Sequence, residues 1–106
     1  MSLKKIHHVA YRCIDAKATV NFYRDLLDME FKLAIAEDKV PSTGAPDPYM
    51  HVFLDAGNDN VLAFFELPNS PEMGRDEQTP EWVQHEAFEV TSFEQLTRYK
   101  KMIEDT

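Results

Sequence analysis

The stretch IHHVAYRCIDAKATVNFYRDLLDMEF, residues 6–31, decides the fold because its periodicity changes from that of a strand to that of a helix. Residues 5–13 are rich in β-branched and aromatic side chains and contain no breaker, which predicts a strand. Asp15 then offers a helix N-cap. Apolar residues recur at helical spacing over 16–27, and a second strand is predicted over 30–37.

The rest of the chain continues this alternation of strands, turns and helix. Prolines and a glycine predict a loop, because proline cannot donate a hydrogen bond to a strand ladder. Turn residues between two short apolar runs predict a hairpin. A Thr-Ser-Phe-Glu sequence has the pattern of a capping box, formed by Thr91 and Glu94, before a second helix. We predict a loop over residues 38–48, two hairpin strands over 49–55 and 60–67, and a polar connection over 68–80. A fifth strand is predicted over 82–90, and the second helix from residue 91 onward.

The beginning and the end of the chain resemble each other. HHVAYRC, residues 7–13, matches QHEAFEV, residues 84–90, with His8 aligned to His85. Such a repeat indicates two modules that each need the other to close a core. We therefore predict one α+β domain over 1–106, divided into a first βαβββ module (1–67), a linker (68–83) and the start of a second module (84–106). By the length of the first module, about 35 to 50 further residues, or a second chain, are expected to complete the second one.

Composition excludes several classes of function. The 106 residues have a formal net charge of −8, which argues against nucleic acid and anionic membrane as partners, since both require a basic surface. No apolar run has the roughly 20 residues needed to span a bilayer. A single cysteine, Cys13, excludes an internal disulfide framework and predicts a cytoplasmic location.

Three side chains at matched places are candidate metal ligands: His8, Glu66 and His85. Because strand side chains alternate between faces, His8 shares a face with Ala10 and Arg12, while Glu66 shares one with Leu62 and Phe64. If the modules curl around one cavity, both histidines and the glutamate converge there. Two imidazoles and one carboxylate form a facial set that leaves coordination positions open. The alternative is a hydrogen-bonded strand histidine and an exposed strand-end carboxylate.

Three segments together resemble the vicinal oxygen chelate superfamily, which includes glyoxalases, bleomycin resistance proteins and extradiol dioxygenases. The segments are residues 6–31, FFELP at 64–68 and EWVQHEAFEVTSFEQL at 81–96. The resemblance implies paired βαβββ modules that form a curved, cup-like mixed sheet with the helices outside. It also implies one divalent ion (Fe, Mn, Ni, Co or Zn) held by His8, Glu66 and His85, a further glutamate ligand beyond the present chain, and a homodimer. Asp28 departs from the family pattern, which often has glycine there.

Other residues are candidates for contacts with a small-molecule substrate. His51 is a candidate acid–base residue, with a packed core histidine as the favoured alternative, and Glu66 is a second candidate for catalysis. Arg12 suits a substrate carboxylate or enolate, although a salt bridge to Glu89 is favoured. The candidate pocket is completed by Tyr49, Phe53 and Phe64, for which plain core packing is the alternative.

These features predict a metal-dependent enzyme of the glyoxalase or extradiol-dioxygenase type. It would act on a small substrate with vicinal oxygens, as a dioxygenase, lyase or isomerase, and a ring-cleaving dioxygenase is slightly favoured. The alternatives are a metal-free protein of the bleomycin-resistance type that binds a drug, and an interaction domain whose histidines are incidental.

Overall fold

A computed structural model describes residues 2–106, which divide into two compact units. The first unit extends to Pro71 and contains the whole sheet, and the second is Glu72–Thr106. Among residues 2–106, neither helix has the length and apolar composition that crossing a bilayer requires.

The first unit is a βαβββ module. Its elements are β1 (His8–Cys13), α1 (Ala16–Asn21), β2 (Glu30–Lys39), β3 (Pro46–Asp55) and β4 (Val61–Glu66). The strands lie in the order β1-β4-β3-β2, so that the first strand pairs with the last. The β1–β4 pair is parallel and the other two pairs are antiparallel. The predicted α+β class with a mixed sheet is confirmed.

Helix α1 starts where the sequence predicts and then changes its winding. The side chain of Asp15 accepts a hydrogen bond from the Ala18 N–H at 3.1 Å, which confirms the predicted N-cap. After Asn21 the chain continues as a π-helical segment, Phe22–Leu26. Asp28 then adopts a φ of 57°, the left-handed region that glycine favours. The turn into β2 is therefore made by an aspartate, a residue type that tolerates this conformation.

The core lies between α1 and one face of the sheet. Leu54, near the C-terminal end of β3, is completely buried, which contributes about 1.5–3 kcal/mol relative to an exposed leucine. The same cluster contains residues from β1, α1, the turn before β2, β3 and β4: Cys13, Ala16, Val20, Met29, Val52, Leu62 and Phe64. Tyr23, Leu27 and Met50 pack around its margin.

Strand β3 is longer than predicted because it tolerates two prolines at its start. Pro46 and Pro48 precede Met50, the first β3 residue that pairs with β4. The pairing of β3 with β2 is irregular between Glu37 and Lys39, next to the pair Lys39–Pro46. A proline, which has no backbone N–H to donate, is least costly at such an irregularity in the ladder. The predicted turn at residues 57–59 is confirmed, and all three residues have positive φ.

The second unit departs from the prediction at its start. Residues 82–90 form no strand, so the predicted fifth strand is wrong. Val83 N–H instead donates to Pro80 O at 3.1 Å in a turn, and residues 85–90, as the structure describes them, belong to no strand. Helix α2 (Phe93–Glu104) is confirmed, although its N-cap is Ser92, whose Oγ accepts from Gln95 N–H at 3.2 Å.

Candidate functional site

The two faces of the sheet carry different chemistry. The face under α1 is apolar and belongs to the core. The opposite face, called the distal face here, carries both of the histidines that β1 and β3 supply. Strand pairing aligns Arg12 with Phe65, and Phe65 with His51, in one row across the distal face. Because side chains alternate, the distal face includes, from β1, β3 and β4, His8, Ala10, Arg12, Tyr49, His51, Phe53, Ala63 and Phe65.

His51 lies at the centre of an aromatic cluster on this face. Its ring stacks on Phe65, with the ring centroids 3.6 Å apart and an interplanar angle of 16°. On its other side the Phe53 ring lies 4.2 Å away. His8 contacts the edge of the same Phe53 at 5.9 Å, and Tyr49 contacts Phe65 at 5.6 Å. The two imidazoles therefore flank one phenylalanine ring.

The environment of His51 favours its neutral form. Partial burial lowers the pKa of His51 below its ordinary value of 6.5, and positive charge on His8 lowers this pKa further. The Nε2 atom is buried and has no hydrogen-bond partner in the part of the chain that the structure describes. A buried polar atom of this kind indicates an absent water or ligand, or a functional role.

A cavity of about 430 Å³ opens beside His51. That volume is within the range of small-molecule sites, about 300–1,000 Å³. One wall is the connection between β2 and β3, and the floor is the distal face. The lining residues are Val40, Pro41, Ser42, Asp47, Tyr49, His51, Phe65 and Leu67.

Glu66 does not lie on the face that carries His8. It follows Leu62 and Phe64 in alternation, as predicted, but those two residues pack under α1. Its Oε1 accepts a hydrogen bond from Ala16 N–H at 2.8 Å, which satisfies a free N–H in the first turn of the helix. The sheet therefore separates Glu66 from His8, against the expectation that they converge.

The resemblance implies a metal ion, and within the first unit two of the predicted ligands, His8 and Glu66, lie on opposite faces of the sheet. His85 belongs to the second unit, where its Nδ1 lies 3.0 Å from Val83 O. His8 Nδ1 lies 2.9 Å from Nδ1 of its neighbour His7. Within residues 2–106, no three His, Cys, Asp or Glu side chains are placed to hold a metal ion.

The remaining predicted site residues divide between the two faces. Tyr49 and Phe53 lie on the distal face, whereas Phe64 is a core residue stacked on Tyr23 at 5.2 Å, so its predicted place in the pocket is corrected. Arg12 lies on the distal face, and its Nη2 donates to Pro71 O at 2.6 Å. This backbone carbonyl, and not a carboxylate, is its observed partner.

Sequence reasoning missed Phe65, the ring on which His51 stacks. Phe64 and Phe65 are adjacent and must point to opposite faces. Deciding which of them meets His51 requires the pairing of β3 with β4, and that pairing is not contained in either strand alone. The one signal that could have identified Phe65 is the pairing of the two hairpin strands, β3 and β4, which places Phe65 opposite His51.

Comparisons with known proteins agree on the fold. The model of the Glyoxalase/Bleomycin resistance protein/Dioxygenase superfamily matches residues 5–103. The chain is similar to a crystal structure of a glyoxalase family protein from Enterococcus faecalis, with 22% identity, a TM-score of 0.60, and coverage of 96% of this chain and 75% of that one. It is also similar to the crystal structure of SMU.1112c, with 19% identity, a TM-score of 0.59 and coverage of 97% and 77%. No curated protein matches the sequence.

The contact of Glu66 with α1 predicts a stability effect. Glu66→Ala removes the acceptor for Ala16 N–H and should lower the free energy of unfolding by about 1 kcal/mol, as loss of a helix cap does. Glu66→Gln keeps an Oε1 acceptor and should retain most of the stability. Urea unfolding measures both, with the exposed Glu37→Ala as the matched control. An unchanged midpoint for Glu66→Ala would show that this contact contributes nothing.

The lowered pKa of His51 predicts a pH dependence. The unfolded chain binds more protons than the folded one between the lowered folded pKa and 6.5, so the stability contribution of this group rises with pH across that window. It is fully present above 6.5 and is lost as the pH falls toward the folded value. Relative to His51→Phe, the wild-type protein should therefore lose stability on acidification. Urea unfolding at several pH values tests this, and parallel curves for the two proteins would contradict it.

Proposed function

The chain belongs to the glyoxalase/bleomycin resistance protein/dioxygenase superfamily, and from that premise we propose that it binds a small planar organic molecule over the distal face of its sheet. The observation that carries this proposal is His51, which lines a cavity with the volume of a small-molecule site and whose buried Nε2 has no hydrogen-bond partner among the described residues.

The lining of the cavity supports a planar ligand. Tyr49 and Phe65 supply ring surface, and aromatic groups favour offset or edge contacts with another ring. Val40, Pro41 and Leu67 add apolar surface. A ligand that fills this space would remove water from the rings and gain stabilisation from the apolar area buried.

His51 supplies the polar contact. A neutral imidazole has one N–H donor and one acceptor nitrogen, so Nε2 can bond either to a hydroxyl group or to a carbonyl group of the ligand. A histidine with a pKa below its ordinary value is unprotonated near neutral pH and is therefore available as a general base. The proposed role of His51 is to hold a ligand hydroxyl and to accept its proton.

Binding of catechol to metal-free protein tests this proposal, because catechol is neutral, planar and carries two adjacent hydroxyls. Amide chemical shifts should change most around Tyr49, His51 and Phe65. His51→Phe keeps a ring on Phe65 but removes Nε2, and it should weaken binding about tenfold, since a hydrogen bond contributes about 0.5–1.5 kcal/mol and 1.4 kcal/mol corresponds to tenfold.

Val9→Ala serves as a control, because Val9 lies on β1 but faces away from the distal side. It should leave the affinity within about twofold, since changes without contact to the ligand are usually small. If catechol shifts no distal-face resonance, or binds His51→Phe as tightly as the wild type, the proposed site is wrong.

A second candidate function is a metal-dependent reaction on a substrate with vicinal oxygens, such as ring cleavage by a dioxygenase or a glyoxalase-type lyase reaction. The observation that favours it is the position of His8 on the same face as His51, in contact with Phe53. The proposed ligands are His8 and His85, the pair that the sequence repeat aligns. Glu66 is the weakest of the three predicted ligands, because it already bonds to Ala16 N–H.

Metal content separates this candidate from a metal-free binding protein. Plasma mass spectrometry on untagged protein, before and after dialysis against a chelator, should find near-stoichiometric Fe, Mn, Ni, Co or Zn that is lost in a His8→Ala/His85→Ala double variant. Metal at background level after reconstitution would exclude the candidate for this chain. Light scattering on the same samples would test the expected homodimer. The cytoplasmic location, which was inferred from the single cysteine Cys13, stays a prediction.

A further inference from the structure

Two side-chain atoms in the described chain are buried and lack a hydrogen-bond partner, Arg12 Nε and His51 Nε2. Both belong to the distal face, and strand pairing places Phe65 between them. Strands lie about 4.8 Å apart, so the backbones of the two residues are about 10 Å apart across the row. Unsatisfied buried groups are few in native proteins and each requires an explanation. His51 and Phe65 of this row line the cavity, and Arg12, which is not among its lining residues, lies at the other end of the row. Two unsatisfied groups in one row point to one missing ligand.

The charge of Arg12 defines the chemistry on its side of the row. A guanidinium has five N–H donors and is always protonated. Within the described residues its Nη2 donates to the neutral carbonyl of Pro71, at 2.6 Å. A half-buried cation without a counter-charge is costly.

The carboxylates near β1 are already used elsewhere. Glu66, at the end of the neighbouring strand, points to the α1 face and accepts from Ala16 N–H. Asp15, just beyond β1, caps α1 by accepting from Ala18 N–H. Asp47 is among the residues that line the cavity, and its negative charge favours placement of an anion at the Arg12 end of the row, outside that lining.

We propose that Arg12 and His51 form a two-point site for a small aromatic carboxylate. The carboxylate pairs with the guanidinium of Arg12, the aromatic ring lies along Phe65, and a hydroxyl group at the other end bonds to His51 Nε2. This inference rests on the proposed function, because it uses the same face, and it adds the charge of the ligand. A charge-assisted bond to arginine is stronger than a neutral one and has directional geometry.

The two ends of the row make separable contributions. Arg12 stays charged at all physiological pH values and selects for an anion. His51 is neutral near pH 7 and selects for a hydroxyl. Removing the charge of residue 12 should therefore abolish the preference for a carboxylate without abolishing binding of the neutral ring.

A matched pair of probes tests the inference on the metal-free protein: 3,4-dihydroxybenzoate and catechol, which differ by one carboxylate. Dissociation constants at pH 7.5 are measured by chemical-shift titration. The wild type should bind the acid at least tenfold more tightly, since hydrogen bonds to charged groups contribute about 1.5–3 kcal/mol. Arg12→Gln should bind both probes equally, and Arg12→Lys should keep part of the preference, because it retains the charge but not the planar fork.

Arg24→Gln is the matched control, because this arginine is exposed and pairs with Asp25 on the helix; it should leave both affinities unchanged. The amide spectrum of each variant shows whether it is folded, and Arg12→Lys provides the comparison if Arg12→Gln is not. Equal binding of both probes by the wild type, or a carboxylate preference that survives in Arg12→Gln, would overturn this inference and leave the proposed function standing. Binding of neither probe would overturn both.

Discussion

The parallel pairing of β1 with β4 is the constraint on which the rest of the structure depends. It joins the first strand of the module to its last and fixes which residues meet across the sheet. With that register set, Cys13 and Glu66 face α1 together, and Arg12 and Phe65 face the other side together. A β-strand offers only these two directions to a side chain. One pairing therefore decides at once which residues form the core and which are available to a ligand.

The elements of the first module were largely predictable from the sequence. The alternation of strands, the N-cap at Asp15 and the turn at residues 57–59 each follow from local chemistry, and the structure contains all three. The predicted strand over residues 82–90 is absent for a physical reason. An apolar, β-rich run becomes a strand only when a neighbour supplies hydrogen bonds, and such a neighbour is a property of the fold and not of the run. The one-residue shift of the α2 cap, from Thr91 to Ser92, has a smaller cause, since both hydroxyls suit the position.

The candidate site was less predictable than the fold. Its members were recognised by residue type, but their directions depend on strand pairing. His51, Tyr49 and Phe53 lie on one face with His8, whereas Phe64 and Glu66 lie on the other. The position of Glu66 also involves a competition that sequence reasoning did not weigh. A carboxylate at the end of β4 is within reach of the first free N–H groups of α1, and these stabilise a negative charge as a cation does.

The adjacent phenylalanines in β4 have a consequence for how such a module could change during evolution. Phe64 is in the core and Phe65 is on the distal face, and the two side chains are identical. A slip of β4 by one residue, such as an insertion or deletion in the preceding turn would cause, exchanges their roles while each face keeps a ring of the same size. The same slip would carry Glu66 across the sheet, to the side of the two histidines. A single change of turn length could therefore convert a binding surface of this kind into one that assembles two imidazoles and a carboxylate. The cost is that Leu62 leaves the core, Ala63 enters it, and Ala16 N–H loses its acceptor.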